Sequence, residues 1–253
     1  MTMRTLVFGD DGSPAADVAW LQINSHPWPE WRVEVVRVEN APLPIDYVDL
    51  HEWDPTEPRT VFSEAKFAQV ANLVAKGDAR LVLSRPCDLL VIGPRGPGLL
   101  KALHLGSTAE WLLTRPPAPM LIARHGHPIT TVLLCVDGSV HANRATGVLC
   151  TLPWVDQLRV TVLAVDDERV DIDAATQNAA KQLEAVGADV SVRVHSGKPT
   201  AQIKEAMDQL SPDLVALGTR GLTGLHHLRV GSTASAIART ATSSVLVACE
   251  SDE

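Results

Sequence analysis

The nine residues TLVFGDDGS at positions 5–13 return as TVLLCVDGS at positions 131–139, 126 places further on. Three more segments repeat in the same order. HPWPEWRVEVVRVEN (26–40) falls on LPWVDQLRVTVLAVDD (152–167) with one residue inserted. DLLVIGPRGPGLLKALHLGST (88–108) falls on DLVALGTRGLTGLHHLRVGST (213–233), 125 apart, and APMLIAR (118–124) falls on SSVLVAC (243–249). The chain is a tandem duplication. A two-unit repeat is too short for a solenoid, so each copy must bury its own core. The 253 residues suit two domains, 1–127 and 128–253, with the boundary inside RHGHPIT (124–130).

Within each copy, short apolar runs alternate with helix-like stretches. In the second copy the pattern predicts strands at 131–136, 159–165, 189–195, 214–218 and 244–249, with helices around 141–150, 174–186, 200–210 and 233–240. Strands apolar along their whole length, separated by amphipathic helices, imply a parallel sheet covered on both faces. Such sheets bind ligands beyond the carboxyl ends of their strands, where the strand order reverses. The first copy is less regular. Residues 40–60, rich in proline and acid, read as a loop; a third strand is expected near 69–76, followed by a shorter helix in GDARLVLSRP.

Composition narrows the function. With 45% hydrophobic residues the chain can fill two cores, while a net charge of −8 argues against a basic surface for nucleic acid or anionic membrane. It leaves room for an anionic small molecule, because helix N-termini bind anions without net positive charge. Cys87, Cys135, Cys150 and Cys249 form no C-x-x-C pair and read as buried apolar residues of a reducing compartment. No run approaches the ~18 apolar residues of a spanning helix, and Asp10, Asp11 and Asp17 occupy the region where a signal peptide would need an apolar run. The expected location is cytoplasmic.

The glycines carry the chemistry. The spacing G-x2-G-x9-G-[S/T] occurs at Gly93, Gly96, Gly106 and Ser107, and again at Gly218, Gly221, Gly231 and Ser232. The first pair allows a sharp turn at a strand end with no Cβ facing a ligand. The last glycine, with Ser107-Thr108 or Ser232-Thr233 opening a helix, offers unencumbered N–H and hydroxyl donors at the positive end of a helix dipole, a bed for phosphate. A plain glycine-rich loop with an N-cap is the alternative, and two copies at identical spacing favour the ligand loop. Asp11 and Asp137 sit in D-G-S turns, where the carboxylate either accepts from a ligand amine or hydroxyl or shapes an Asx turn. Arg95 and Arg220 share one slot, able to meet a phosphate or solvent.

Other motifs are wanting. There is no G-x-x-x-x-G-K-[S/T]; GKPT at 197–200 lacks the earlier glycine. No G-x-S-x-G elbow is present. His125/His127 and His226/His227 lack companion ligands at usual metal spacings. Trp28 and Trp154 recur at one position and are expected to pack beneath the loop rather than stack on a base.

The order strand–D-G-S, D-L-[LV]-x-[IL]-G-x-R-G, nine residues, G-S-T and a final apolar strand resembles the universal stress protein family, in its ATP-binding branch. The resemblance covers both halves and is loosest in residues 40–76. It implies an adenine nucleotide alpha hydrolase-like α/β fold, with two tandem doubly wound parallel five-stranded sheets and helices on both faces. On matching positions, Asp11 and Asp137 with backbone near Val38 and Val165 would contact adenine. Gly9, Asp10 and Val136, ending the first strands, complete that set. Gly93 and Gly96, and Gly218 and Gly221, would lie along ribose and the first phosphates. Gly106-Ser107-Thr108 and Gly231-Ser232-Thr233 would hold the outer phosphates, usually with Mg²⁺ on the phosphates rather than on protein ligands. The final strands, 120–124 and 245–249, would pair about a pseudo-twofold axis, forming an intramolecular pseudo-dimer that can self-associate further. Pro94 and Pro97 depart from the pattern by removing two N–H donors from the first loop, making the second loop the better built.

The expected function is that of an ATP-binding stress or regulatory protein with a protein partner, and no nucleic acid or membrane. No acid–base residue beyond the phosphate holders is shared by both loops, so catalysis would amount to weak ATP hydrolysis by positioning and Mg²⁺. A nucleotidyl-transfer enzyme or a non-binding scaffold are the alternatives.

Overall fold

The computed structural model describes residues 3–39, 49–52, 66–96, 105–166, 172–220 and 230–249. In the first half the chain runs β1 (Arg4–Asp10), α1 (Pro14–Asn24), β2 (Trp28–Glu39), β3 (Asp49–Glu52), β4 (Phe67–Lys76), α2 (Ala79–Val82), β5 (Leu89–Ile92), α3 (Ser107–Thr114) and β6 (Met120–Ile122). The second half runs β7 (Thr131–Val136), α4 (Val140–Cys150), β8 (Arg159–Asp166), α5 (Ile172–Ala185), β9 (Asp189–Ser196), α6 (Pro199–Leu210), β10 (Leu214–Gly218), α7 (Ser232–Thr240) and β11 (Ser244–Ala248).

Strands form because their apolar residues alternate between two covered faces. Leu6 and Phe8 of β1 point into one core with Val33, Val35, Leu89 and Val91; Val7 points into the other with Val36, Leu90 and Ile92. Each core continues through the second half, Leu134 and Leu246 joining the first, Leu133 and Val245 the second. The helices α1 and α4 begin where a serine caps them. Ser13 Oγ accepts from Ala16 N and Ser139 Oγ from Ala142 N, both at 3.1 Å.

The strand order is β3-β4-β2-β1-β5-β6-β11-β10-β7-β8-β9. Both halves thus wind a five-strand parallel sheet in the order third, second, first, fourth, fifth, and the order reverses at β1 and at β7. The two sheets are not separate. β6 and β11 pair antiparallel, Leu121 opposite Leu246, and make one eleven-stranded sheet.

Two expectations need correction. Residues 40–60 are not all loop: Asp49–Glu52 is a strand, antiparallel to β4, and covers the outer edge of the first half. The tryptophans lie at the junction of the halves rather than beneath the loops. Trp28 and Trp154 meet edge to face at 5.9 Å, and His26 stacks on Trp154 at 3.7 Å. Of the cysteines, Cys249 is buried and the other three half-buried.

Candidate functional site

At each switch point the turn after the first strand meets the loop after the fourth. Gly12 and Gly138, at φ 70° and 77°, take the left-handed conformation that turns the chain into α1 and α4. Asp11 Oδ1 accepts from Ser13 N, and Asp137 Oδ1 from Ser139 N, each at 3.0 Å, so both carboxylates shape Asx turns. The same serines tie turn to loop: Ser13 Oγ donates to the Arg95 carbonyl at 3.3 Å, Ser139 Oγ to that of Arg220 at 3.2 Å. Asp11 Oδ2 is turned to the loop, where a Cβ on Gly96 would come within 2.7 Å of it.

The loop is drawn close onto the helix. A Cβ on Gly93 would lie 2.8 Å from the Ala15 carbonyl group, and one on Gly218 2.6 Å from the His141 carbonyl carbon. Both glycines are therefore required by contact with α1 and α4, a reason the spacing alone did not reveal. The third glycines also differ from expectation. Gly106 N donates to Pro94 O at 2.8 Å and Gly231 N to Thr219 O at 2.7 Å, so these two amides close the loop and are not open donors. The donors left are those of the first helical turn. α3 and α7 start at Gly106 and Gly231 with no side-chain cap, leaving the N–H groups after them without acceptors inside the helix. Ser107 and Ser232 are exposed at these openings, with Thr108 and Thr233 half-buried beside them. Gly221, with Pro97, His226 and His227, lies outside the described residues.

The halves are not equivalent. At the adenine end expected of the first, Asp10 accepts from Gly12 N at 2.9 Å and pairs with Arg37 at 3.1 Å. The matching end of the second is apolar, with Val136 and Val165 buried, while Val38 is half-buried. Where the first loop has Pro94, the second has the buried Thr219, its Oγ1 3.1 Å from His141 Nδ1, a contact that sequence reasoning missed. The helix after the third strand starts at Asp78 in one half, which caps it and binds Arg80. In the other it starts at Lys198, and Thr200 Oγ1 reaches Thr233 Oγ1 at 3.3 Å, joining the N-terminus of α6 to that of α7.

Charge follows the same geometry. Arg124 is half-buried, and burial, then the nearby Arg95, draw its guanidinium down to about 10. It reaches the Ala238 carbonyl of α7 and so ties the end of the first half to the second. Arg220 is half-buried, and its Nε finds no partner among the described residues. Cys135, beside Val136, is pushed up to about 12 by burial, with Asp137 adding to it, so its thiol is no nucleophile at neutral pH. The open helix starts and the orphan guanidinium N–H suit an anionic, phosphate-bearing ligand.

Comparison with known proteins agrees with this fold. The Universal stress protein family profile matches residues 58–124 and 128–248, more than half of the chain. A universal stress protein of Mycobacterium tuberculosis is 25% identical over 97% of both chains. One from Synechocystis is 27% identical over 60% of this chain, which spans 54%, about half, of that relative's length. The crystal structure of a universal stress protein from Archaeoglobus fulgidus superposes with a TM-score of 0.68, at 19% identity, over 99% of this chain and all of that one.

Proposed function

The chain belongs to the universal stress protein family, and from that premise we propose that it is an ATP-binding regulatory protein of the stress response. Each half, 1–127 and 128–253, is a domain with one nucleotide site. The observation that carries the reading is the repeated construction at the two switch points. In both, a capping serine fixes the loop carbonyl, and a glycine-started helix without side-chain cap opens beside it.

Adenine lies at the ends of the first and second strands, near Asp11 and Val38 or Asp137 and Val165. The phosphates lie on Ser107-Thr108 or Ser232-Thr233, with Arg95 or Arg220 alongside and Mg²⁺ on the phosphates. The second site is the stronger. Its adenine end is apolar, its loop has Thr219 in place of Pro94, and Lys198 stands where the first half has Asp78. Beyond the phosphate holders, the two loops share no acid–base residue among the described residues, so turnover is slow at most.

Calorimetric titration of nucleotide-stripped protein with ATP and Mg²⁺ tests this. Binding is expected, tighter in the second half, and Gly231→Val weakens that site at least tenfold. Absence of binding at millimolar ATP overturns the nucleotide reading in favour of an interaction scaffold. Several turnovers per minute, lost in Gly231→Val, would instead support an enzyme.

A further inference from the structure

The segment between the halves brings two histidines together. The rings of His125 and His127 lie face to face, centroids 3.7 Å apart and planes within 6°. Asp213, at the foot of β10 and 88 residues from His125, is the acidic companion that sequence spacing could not supply. His127 Nδ1 is 3.7 Å from Asp213 Oδ1, and one ligand-type atom from each of the three side chains lies within 4.8 Å of the others.

Asp213 and His125 are oriented as ligands are. Asp213 Oδ2 accepts from the N–H and O–H groups of Thr130 and Thr131 at 2.8–2.9 Å, which fixes the carboxylate and leaves Oδ1 toward His127. His125 Nε2 lies 2.7 Å from the Asp213 carbonyl, so Nε2 carries the proton and Nδ1 the lone pair. An imidazole N–H held by a backbone carbonyl is the usual outer support of a metal-bound histidine. The Gln22 amide nitrogen is 3.0 Å from Nδ1 but also 3.4 Å from Nε2, too near both to lie along the Nδ1 lone pair. Gln22 is itself held by Ser244 Oγ, which donates to its Oε1 at 2.9 Å. His127 is exposed, and its Nδ1, 3.0 Å from the Pro128 carbonyl, gives up that one contact when the ring turns toward an ion.

We propose that His125, His127 and Asp213 bind a divalent transition-metal ion, zinc being the best match. Two imidazole nitrogens and one carboxylate oxygen suit zinc, cobalt or nickel better than magnesium or calcium. Donors around zinc, at about 2.0–2.2 Å from it, stand roughly 3–3.6 Å from one another. The cluster therefore closes by about 1 Å, through a turn of the His127 ring that also unstacks it from His125. Water completes the coordination on the solvent side. None of the three residues belongs to the nucleotide sites, so the metal site stands or falls separately. The bound ion joins the linker directly to the second half.

The test uses the full, tag-free chain, stripped with chelator and free of nucleotide, titrated with Co²⁺ by visible absorption and then with Zn²⁺ in competition. The expected result is one equivalent per chain with a ligand-field spectrum, weakened at least tenfold in His127→Ala. That variant changes an exposed side chain, and circular dichroism verifies that it is folded. The double variant His226→Ala/His227→Ala retains the site. No stoichiometric metal in the parent chain, or a site that survives His127→Ala or is lost with His226 and His227, overturns the proposal.

Discussion

A methyl group on Gly218 would sit 2.6 Å from the carbonyl carbon of His141 and 2.7 Å from the amide nitrogen of Ala142. Both atoms are backbone at the start of α4, so neither can move aside without shifting the helix. Gly147, inside α4, has nothing within 4 Å of the same added atom. The two glycines predict opposite outcomes. Gly218→Ala destabilises by about 1–3 kcal/mol through overpacking. Gly147→Ala stabilises by about 0.5–1 kcal/mol, because alanine loses less backbone freedom on folding. Urea denaturation of both variants without nucleotide checks this. If Gly218→Ala proved neutral for stability and harmful only to ATP binding, the glycine would answer to a ligand and not to the helix.

The serine caps act on two elements at once. Ser139 satisfies the first turn of α4 and holds the Arg220 carbonyl, so its loss is felt in helix and loop together. Ser139→Ala is expected to cost about 1 kcal/mol of stability as a lost N-cap. It should also weaken ATP binding in the second half while sparing the first; thermal melts and a titration measure the two effects. Elements of this kind were legible in the sequence. β7 and β10 occupy the predicted residues, and β8, β9, β11 and the second-half helices deviate by one or two positions, since their apolar periodicity is strong. β3 was not legible. Asp-Leu-His-Glu has no β-branched residue and no alternation, and it is a strand through its backbone pairing to β4. Likewise the glycine spacing marked the two loops at the switch points, but the uses of Gly106 N and Gly231 N, and the nearness of Asp213 to His127, depend on contacts far apart in the chain.

At the scale of the molecule, the halves are joined by the β6–β11 pair, by Glu110 of α3 bound to Arg239 of α7 at 2.9 Å, and by the aromatic contact around Trp154. The last of these contains a titratable group. His26, 3% exposed, stacks on Trp154 while its Nε2 accepts from Ile129 N at 2.8 Å, which requires an unprotonated nitrogen there. Burial first, and the Lys66 ammonium second, draw its pKa from 6.5 down to about 4. A histidine neutral in the native state and more basic in the unfolded chain takes up its proton preferentially on unfolding. Its contribution to stability is therefore complete above about pH 6.5 and is lost as pH falls through that value toward 4. Urea midpoints measured from pH 8 to 4 should fall across that interval. His26→Gln, which has an amide oxygen to accept from Ile129 N but cannot take up the proton, should be less stable at pH 8 and flatter below 6.5. An unchanged slope in the variant would assign the acid sensitivity to another group and leave His26 as packing alone. A flattened one would mean that mild acid loosens the chain at the seam between its halves, where His26 also holds the linker residue Ile129.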